Sequence, residues 1–166
     1  MVFYCIFVSK FLIANPIFIY PSIAYMIREP YILVAEDDLD DRYLLKAAFE
    51  ENGYHDELKF VDNGFELMDY LNSCLVDKEY PNLPQFILLD MNMPKKDGNE
   101  ALKEIKQHPA LKKIPIVIFS TTRNETEMKR CYDMGAIAYI TKPNSFGDLL
   151  NTIVDIKSAA FIYSGF

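Results

Sequence analysis

Four short apolar runs in this sequence lead to polar side chains with complementary chemistry. Each run suits a strand buried in a parallel sheet. The carboxyl ends of parallel strands meet at one edge, where ligands bind in open α/β folds. Three of these side chains are carboxylates, one is a hydroxyl and one is an ammonium. They are Glu36 and Asp37 after the first run, Asp90 after the second, Ser120 after the third and Lys142 after the fourth.

Carboxylates crowded at one edge repel one another, and each raises the pKa of its neighbours. A divalent cation relieves this repulsion, and hard oxygen ligands with room for water suit Mg²⁺. A cation beside a carboxylate, a lysine and a hydroxyl can receive a phosphoryl group, because such transfer depends mostly on positioning and charge neutralisation. Asp90 can serve there as a nucleophile, a metal ligand or both.

Each of these residues also has an ordinary explanation. Asp90 could cap a turn, Ser120 could simply end a strand, and Lys142 could be a solvated charge. Taken singly, these explanations are favoured. The joint arrangement at one edge of a sheet favours the phosphoryl site instead, and that interpretation depends on the elements that position the residues.

The apolar periodicity alternates between strands and helices along the chain. Regular alternation of this kind predicts an α/β fold, with a parallel sheet, helices on both faces and right-handed connections. Asp40 or Asp41 is expected to cap the first helix, and Ser145 with Asp148 resembles a capping box for the last. Strands are predicted at 31–35, 57–61, 86–89, 116–119 and 137–140, with helices before Gly53, at 64–75, 99–107 and 125–134, and after Ser145.

The composition is that of an acidic globular protein. Its 166 residues carry a net charge of −7 with a pI near 4.8, which argues against a nucleic-acid partner. Cys5, Cys74 and Cys131 are far apart and odd in number, so neither a disulfide framework nor a zinc site is predicted. A reducing cytoplasm fits this cysteine usage best.

Residues 1–28 differ in composition from the rest, since Lys10 is the only charge between Val2 and Ile27. Their length would allow a membrane anchor, although two prolines interrupt them. Two alternatives stay open: Met26 is the true start and the upstream stretch an artefact, or the stretch is a packed accessory segment. The expected organisation is this extension, a domain at 29–158 and a short tail at 159–166.

The ordered set of motifs resembles the receiver domains of two-component response regulators, from about residue 30 to 157. It comprises the acid pair 36–37, Leu89-Asp90 with Met93-Pro94, and Lys142-Pro143, together with Ser120 and Tyr139. The resemblance implies a flavodoxin-like (CheY-like) three-layer sandwich whose five parallel strands have the order 2-1-3-4-5.

The resemblance also implies roles for the site residues. Asp90 would be the phosphoacceptor, and Asp37, Asp90 and the Asn92 carbonyl would hold Mg²⁺, with Glu36 acting on the ion largely through water. Ser120 would bond the phosphoryl group and Lys142 would pair with it. The rotamer of Tyr139 would follow Ser120, and the bond before Pro143 would be cis. Thr121 stands where the family often has a smaller residue, and its stiff side chain would narrow access to the site.

The implied function is that of a cytoplasmic single-domain response regulator, similar to chemotaxis-type and phytochrome-associated members. It would accept a phosphoryl group from a histidine kinase or phosphotransfer protein and catalyse no other reaction. A partner protein would read a changed surface on the fourth helix, fifth strand and fifth helix, often through a homodimer. Because only a short segment follows residue 157, the expected output is through protein binding and not through an attached effector domain.

Three alternatives remain open. One is a binding module that acts without phosphorylation, although the intact acid pair and Lys142 argue against it. Another is a phosphatase resembling haloacid dehalogenases, which normally needs a second acid where this chain has Asn92. The third is a membrane-tethered regulator, which depends wholly on residues 1–28.

Overall fold

Five parallel strands form one sheet in the order β2-β1-β3-β4-β5. The computed structural model describes residues 30–55, 57–76 and 82–164. The strands are β1 (Tyr31–Ala35), β2 (Glu57–Val61), β3 (Ile87–Leu89), β4 (Ile116–Ser120) and β5 (Ala138–Thr141). The helices are α1 (Leu39–Glu51), α2 (Gly64–Cys74), α3 (Gly98–Gln107), α4 (Glu125–Asp133) and α5 (Phe146–Ser164). The predicted fold class and strand order are confirmed.

The sheet is buried on both faces, which explains why its central strands are continuous apolar runs. In β1, the alternate residues Tyr31, Leu33 and Ala35 join a core cluster with residues of α2 and α3. Ile32 and Val34 point to the other face and join a second cluster with α1 and α5. Because successive side chains of a strand alternate between faces, a strand with two covered faces needs apolar residues throughout.

Helix starts at the functional edge are fixed by side-chain caps. Asp38 caps α1, since its Oδ1 accepts hydrogen bonds from the backbone N–H groups of Asp40 (2.8 Å) and Asp41 (3.1 Å). The expectation that Asp40 or Asp41 caps this helix is therefore wrong, because both lie within its first turn. Acidic residues are favourable there because the N-terminus of a helix carries partial positive charge. Before α5, Ser145 Oγ accepts the N–H of Asp148 at 3.1 Å, as the capping box predicted.

The last helix includes residues of the predicted C-terminal tail. α5 continues to Ser164, so the predicted boundary between a domain ending at 158 and a tail at 159–166 falls inside a helix. Neither glycine nor proline interrupts the segment Ser158–Ser164, and Ala160 is buried in the core cluster of α1 and α5. This contact packs the last turns of the helix against the rest of the domain.

The expectations for residues 1–28 lie outside the residues that the structure describes. Within the described ranges, no helix combines the length and apolar character that crossing a membrane requires.

Candidate functional site

Asp90 is the centre of the site because it leaves the middle strand of the sheet. It follows β3, which lies between β1 and β4, and its side chain is almost completely buried. The Asp90 N–H donates to the carbonyl oxygen of Ala35 at 3.0 Å, which continues the pairing with β1. The N–H of Asn92 donates to Asp90 Oδ1 at 3.1 Å. These bonds hold the carboxylate in a fixed orientation at the carboxyl edge.

Glu36 and Asp37 bring two more carboxylates from the end of β1. One oxygen from each of Glu36, Asp37 and Asp90 lies within 4.8 Å of the others. Glu36 is only 2% exposed, whereas Asp37 is open to solvent. Burial raises the pKa of Glu36 to about 7, and the nearby charge of Asp90 adds to this while hydrogen bonds to Lys142 oppose it. Three converging carboxylates with one open side fit a hard divalent cation that keeps part of its water.

Lys142 pairs with three carboxylates at once. Its Nζ lies 2.7 Å from Glu36 Oε2, 2.8 Å from Asp41 Oδ2 and 2.9 Å from Asp90 Oδ2. Burial by itself would lower the pKa of Lys142, but these three hydrogen bonds outweigh burial and raise it. The ammonium therefore stays charged and neutralises part of the carboxylate cluster.

The loop after β5 aims Lys142 across the sheet edge. The Lys142 N–H donates to the carbonyl oxygen of Ser120 at 2.8 Å, which joins this loop to the end of β4. The peptide bond between Lys142 and Pro143 is trans, so the cis bond implied by the resemblance is wrong for this structure. Most peptide bonds before proline are trans. With this trans bond, the hydrogen bond to the Ser120 carbonyl oxygen orients the backbone of Lys142.

Ser120 is the last residue of β4, the strand next to β3, and Thr121 follows it. Ser120 is fully buried, and its Oγ accepts the N–H of Thr122 at 3.3 Å. Thr121 is exposed, and its hydroxyl lies 3.5 Å from the side-chain nitrogen of Asn92. Thr121 therefore lies at the surface next to Asn92, and the expectation that it narrows access to the site stays a prediction.

Tyr139 links this edge to the outer strand. Its side chain is 7% exposed, and its hydroxyl donates to the carbonyl oxygen of Thr122 at 3.1 Å. Its backbone N–H donates to the hydroxyl of Tyr132 in α4 at 3.0 Å. Burial raises the pKa of the Tyr139 hydroxyl, so it remains a donor. Tyr139 and Tyr132 therefore connect the end of β4 to β5 and α4 by direct hydrogen bonds, through which a conformational change at the end of β4 can reach both elements.

Two glycines that the sequence analysis did not single out as site residues shape the loop between Asp90 and α3. A Cβ built on Gly98 would overlap the carbonyl oxygen of Asp90 and lie 2.7 Å from the Cα of Met91. A Cβ on Gly64 would lie 2.8 Å from the carbonyl oxygen of Lys96, which accepts the Gly64 N–H at 3.0 Å. The available signal was the pair Asp97-Gly98 at the start of α3, because an Asp-Gly pair is typical of a turn.

Two residues of α1 also reach the site. Arg42 donates from Nε to the backbone oxygen of Glu36 at 2.7 Å, and its terminal nitrogen pairs with Asp62. Asp41, interpreted from the sequence as a loop or cap residue, contacts Lys142. Both were missed because an exposed helix turn is rich in charge for many reasons. Only their positions three and four residues after Asp38, facing the end of β1, could have indicated them.

Comparisons with known proteins agree with this geometry. The model of the response regulator receiver domain family matches residues 32–154. The response regulator Rcp1 from Synechocystis sp. is 37% identical over 129 residues, which are 76% of this chain and 86% of Rcp1. The structure of Mn²⁺-bound Rcp1 aligns with a TM-score of 0.67 at 37% identity, covering 78% of this chain and 92% of Rcp1.

A second solved structure is that of the phosphorylated cyanobacterial phytochrome response regulator RcpA. It aligns with a TM-score of 0.68 at 38% identity and covers 78% of this chain and 92% of RcpA. The expected similarity to phytochrome-associated regulators is therefore confirmed. The chain belongs to the receiver domain family of two-component response regulators.

Proposed function

We propose that Asp90 accepts a phosphoryl group, in a Mg²⁺-dependent reaction, from a histidine kinase or a histidine phosphotransfer protein. The observation that carries this proposal is the buried Asp90 carboxylate, which has Glu36 and Asp37 within 4.8 Å and the Lys142 ammonium at 2.9 Å. One relative has been solved with Mn²⁺ bound and another in phosphorylated form, which supports the same chemistry here.

The chain's own residues would perform defined tasks in this reaction. Hydrogen bonds from the Asn92 N–H and Lys142 orient the Asp90 carboxylate. An oxygen of Asp90 forms a bond to phosphorus while the bond from phosphorus to the donor breaks. The electron pair of the broken bond leaves with the donor's histidine nitrogen. Lys142 and Ser120 would pair with phosphoryl oxygens as negative charge gathers.

The three carboxylate oxygens fit a hard divalent cation, and the Asn92 carbonyl would be a further oxygen ligand, as the family resemblance implies. When bound, the ion would supply positive charge that stabilises the transferred phosphoryl group. We favour Mg²⁺ because all the donors are oxygens and one side of the site is open to water.

The output surface in this proposal is the face of α4, β5 and α5. Tyr139 joins the end of β4 to β5, and Tyr132 joins β5 to α4. Tyr132 and Val154 are both substantially exposed on this face, where a target protein or a second copy could bind. The proposed output is therefore a phosphorylation-dependent change in protein binding, without turnover of another substrate.

The test is intact-mass spectrometry of the protein incubated with acetyl phosphate, with Mg²⁺ or with a chelator. The wild type is expected to gain one phosphoryl group only with Mg²⁺, and Asp90→Asn is expected to gain none while keeping its fold. Asp97→Asn is the matched control, because Asp97 caps α3 and asparagine caps equally well. An Asp90→Asn protein that gains the group at the wild-type rate would contradict the proposal.

A further inference from the structure

The ammonium of Lys142 has no donor left for an additional acceptor. An ammonium carries three N–H donors, and three carboxylates lie within 2.9 Å of Nζ: Glu36, Asp41 and Asp90. A phosphoryl group on Asp90 would add oxygens that carry about two negative charges. Any new bond from Lys142 to those oxygens must replace one of the present ones.

The three partners differ in what they would lose on release. Glu36 is 2% exposed, so it would become an unpaired buried charge. The Asp90 carboxylate loses its own charge when its oxygen bonds to phosphorus, so its hydrogen bond can pass to the phosphoryl group, and any second bond must come from Glu36 or Asp41. The Asp41 side chain is 37% exposed and lies in the first turn of α1. A carboxylate that can return to water loses little when its partner leaves, whereas an unpaired buried charge is costly.

The surroundings of Asp41 leave room for this exchange. A cavity of about 100 Å³ lies between the start of α1 and the loop after β5, and both Asp41 and Lys142 line it. Phe119 and Phe146 form part of its apolar wall. The Lys142 side chain therefore has space to move next to Asp41. The position of its ammonium depends on the carboxylates that compete for it.

We propose that Asp41 is a positioning residue that shares the Lys142 ammonium with Glu36 and Asp90 and competes for it with an incoming phosphoryl group. Its negative charge also opposes the approach of an anionic phosphodonor, so Asp41 slows phosphorylation. This inference rests on the proposed phosphorylation of Asp90. It gives Asp41 a function in setting the rate, in addition to its place in the first turn of a helix.

The reaction used as a test is transfer from acetyl phosphate. An Asp90 oxygen forms a bond to phosphorus, the bond between phosphorus and the acetyl oxygen breaks, and acetate leaves with the electron pair. Asp41→Asn preserves the shape of the side chain and removes its charge. At saturating Mg²⁺ and low salt, we expect this variant to be phosphorylated roughly three- to tenfold faster, as removal of a like charge a few ångströms away predicts.

Two further variants separate this role from a structural one. Asp41→Glu keeps the charge and is expected to restore a rate near that of the wild type. Asp40→Asn removes a charge from the same turn, where the described residues form no ion pair with Asp40, and is expected to have the smaller effect. In about 1 M salt the advantage of Asp41→Asn should shrink, because a Debye length near 3 Å screens exposed charges.

The outcomes are distinguishable. If the wild type gains no phosphoryl group, the proposed function and this inference both fail. If the wild type is phosphorylated but Asp41→Asn is equally fast or slower, only the inference about Asp41 fails. An equal acceleration by Asp40→Asn would also overturn it, because the effect would then reflect net charge alone. A lower melting temperature with an unchanged rate would leave Asp41 a purely structural role and reject the proposal.

Discussion

The Nζ of Lys142 lies 2.9 Å from Oδ2 of Asp90, although 52 residues separate them in the sequence. Asp90 follows β3 and Lys142 follows β5, so the lysine reaches past the end of β4 to make the contact. The contact joins the loop after β3 to the loop after β5, which are far apart in the sequence. Most of the properties that can be tested in this protein depend on that convergence.

Lys142→Met tests how far the carboxylate cluster depends on this ammonium. Without it, Glu36 and Asp90 become buried carboxylates facing each other. In the presence of a chelator, we expect the free energy of unfolding to fall by about 3 kcal/mol. Mg²⁺ should recover part of the loss, because it supplies positive charge to the same oxygens. Urea unfolding with and without Mg²⁺ measures both effects, and an unchanged stability in chelator would show that Lys142 is not needed to balance the cluster.

Gly98→Ala tests the close packing behind the phosphoacceptor. The added Cβ meets the carbonyl oxygen of Asp90 and the Cα of Met91, both of which are backbone atoms. We expect a loss of about 1–3 kcal/mol in unfolding free energy, as for other overpacked sites, and slower phosphorylation of the displaced Asp90.

Gly147→Ala is the matched control for this substitution. Gly147 lies in the first turn of α5, and a Cβ there meets no atom within 4 Å. Alanine should therefore be neutral or stabilise by up to about 1 kcal/mol. Equal effects of the two substitutions, measured by thermal unfolding and by the rate of mass gain, would contradict the role assigned to Gly98.

Ser120→Ala is expected to keep cation binding but to weaken the coupling between phosphorylation and the surface of α4, β5 and α5. Ser120 is not an expected metal ligand, and in the proposed function its buried hydroxyl bonds a phosphoryl oxygen. A hydrogen bond to a charged group contributes on the order of 1.5–3 kcal/mol. Allosteric coupling energies are about 1–3 kcal/mol, so this loss is enough to depopulate the signalling state.

Two quantities are measured for Ser120→Ala. One is its affinity for Mg²⁺, and the other is its phosphorylation-dependent dimerisation, which analytical sedimentation detects. Thr121→Ser is a useful companion, since it removes only a methyl group at the exposed neighbouring position. If the Ser120→Ala protein kept the whole phosphorylation response, the hydroxyl would have no part in the switch.

The raised pKa of Glu36 predicts that cation binding depends on pH. Burial raises this pKa from 4.5 to about 7, so a proton occupies Glu36 below that pH and competes with the cation. We expect Mg²⁺ affinity to rise roughly tenfold between about pH 6 and 8 and then to level off. Titration calorimetry at several pH values measures this, and Glu36→Gln should flatten the dependence.

The same group affects stability in the absence of a cation. The unfolded chain releases the Glu36 proton near pH 4.5, whereas the folded protein holds it until about pH 7. The contribution of Glu36 to the unfolding free energy therefore falls as pH rises through this window. The test is urea unfolding of the wild type and of Glu36→Gln at pH 5 and pH 7.5, both with a chelator. Between these pH values the free energy of unfolding should fall more for the wild type than for Glu36→Gln. An equal change in the two proteins would contradict a raised pKa of Glu36.

The alternation of apolar runs and helical stripes was sufficient to predict the α/β fold from the sequence. It also placed Asp90, Ser120 and Lys142 at strand ends, because a buried parallel strand must be apolar along its whole length and its polar residues begin where the core ends. The capping box before α5 was equally readable, since a cap depends on residues three positions apart.

The partners of Lys142 were decided by the tertiary structure. Nothing local connects Asp41 in α1 with a lysine 101 residues later, and both meet only because α1 and the loop after β5 lie at the same edge of the sheet. The clash that a side chain at Gly98 would make with the Asp90 backbone has the same origin. The packing of Ala160, near the end of α5, against the core is likewise a contact that helical propensity alone does not contain. Sequence patterns determine which residues face the core or an edge, whereas distances between side chains from different strands follow from how the whole sheet is assembled.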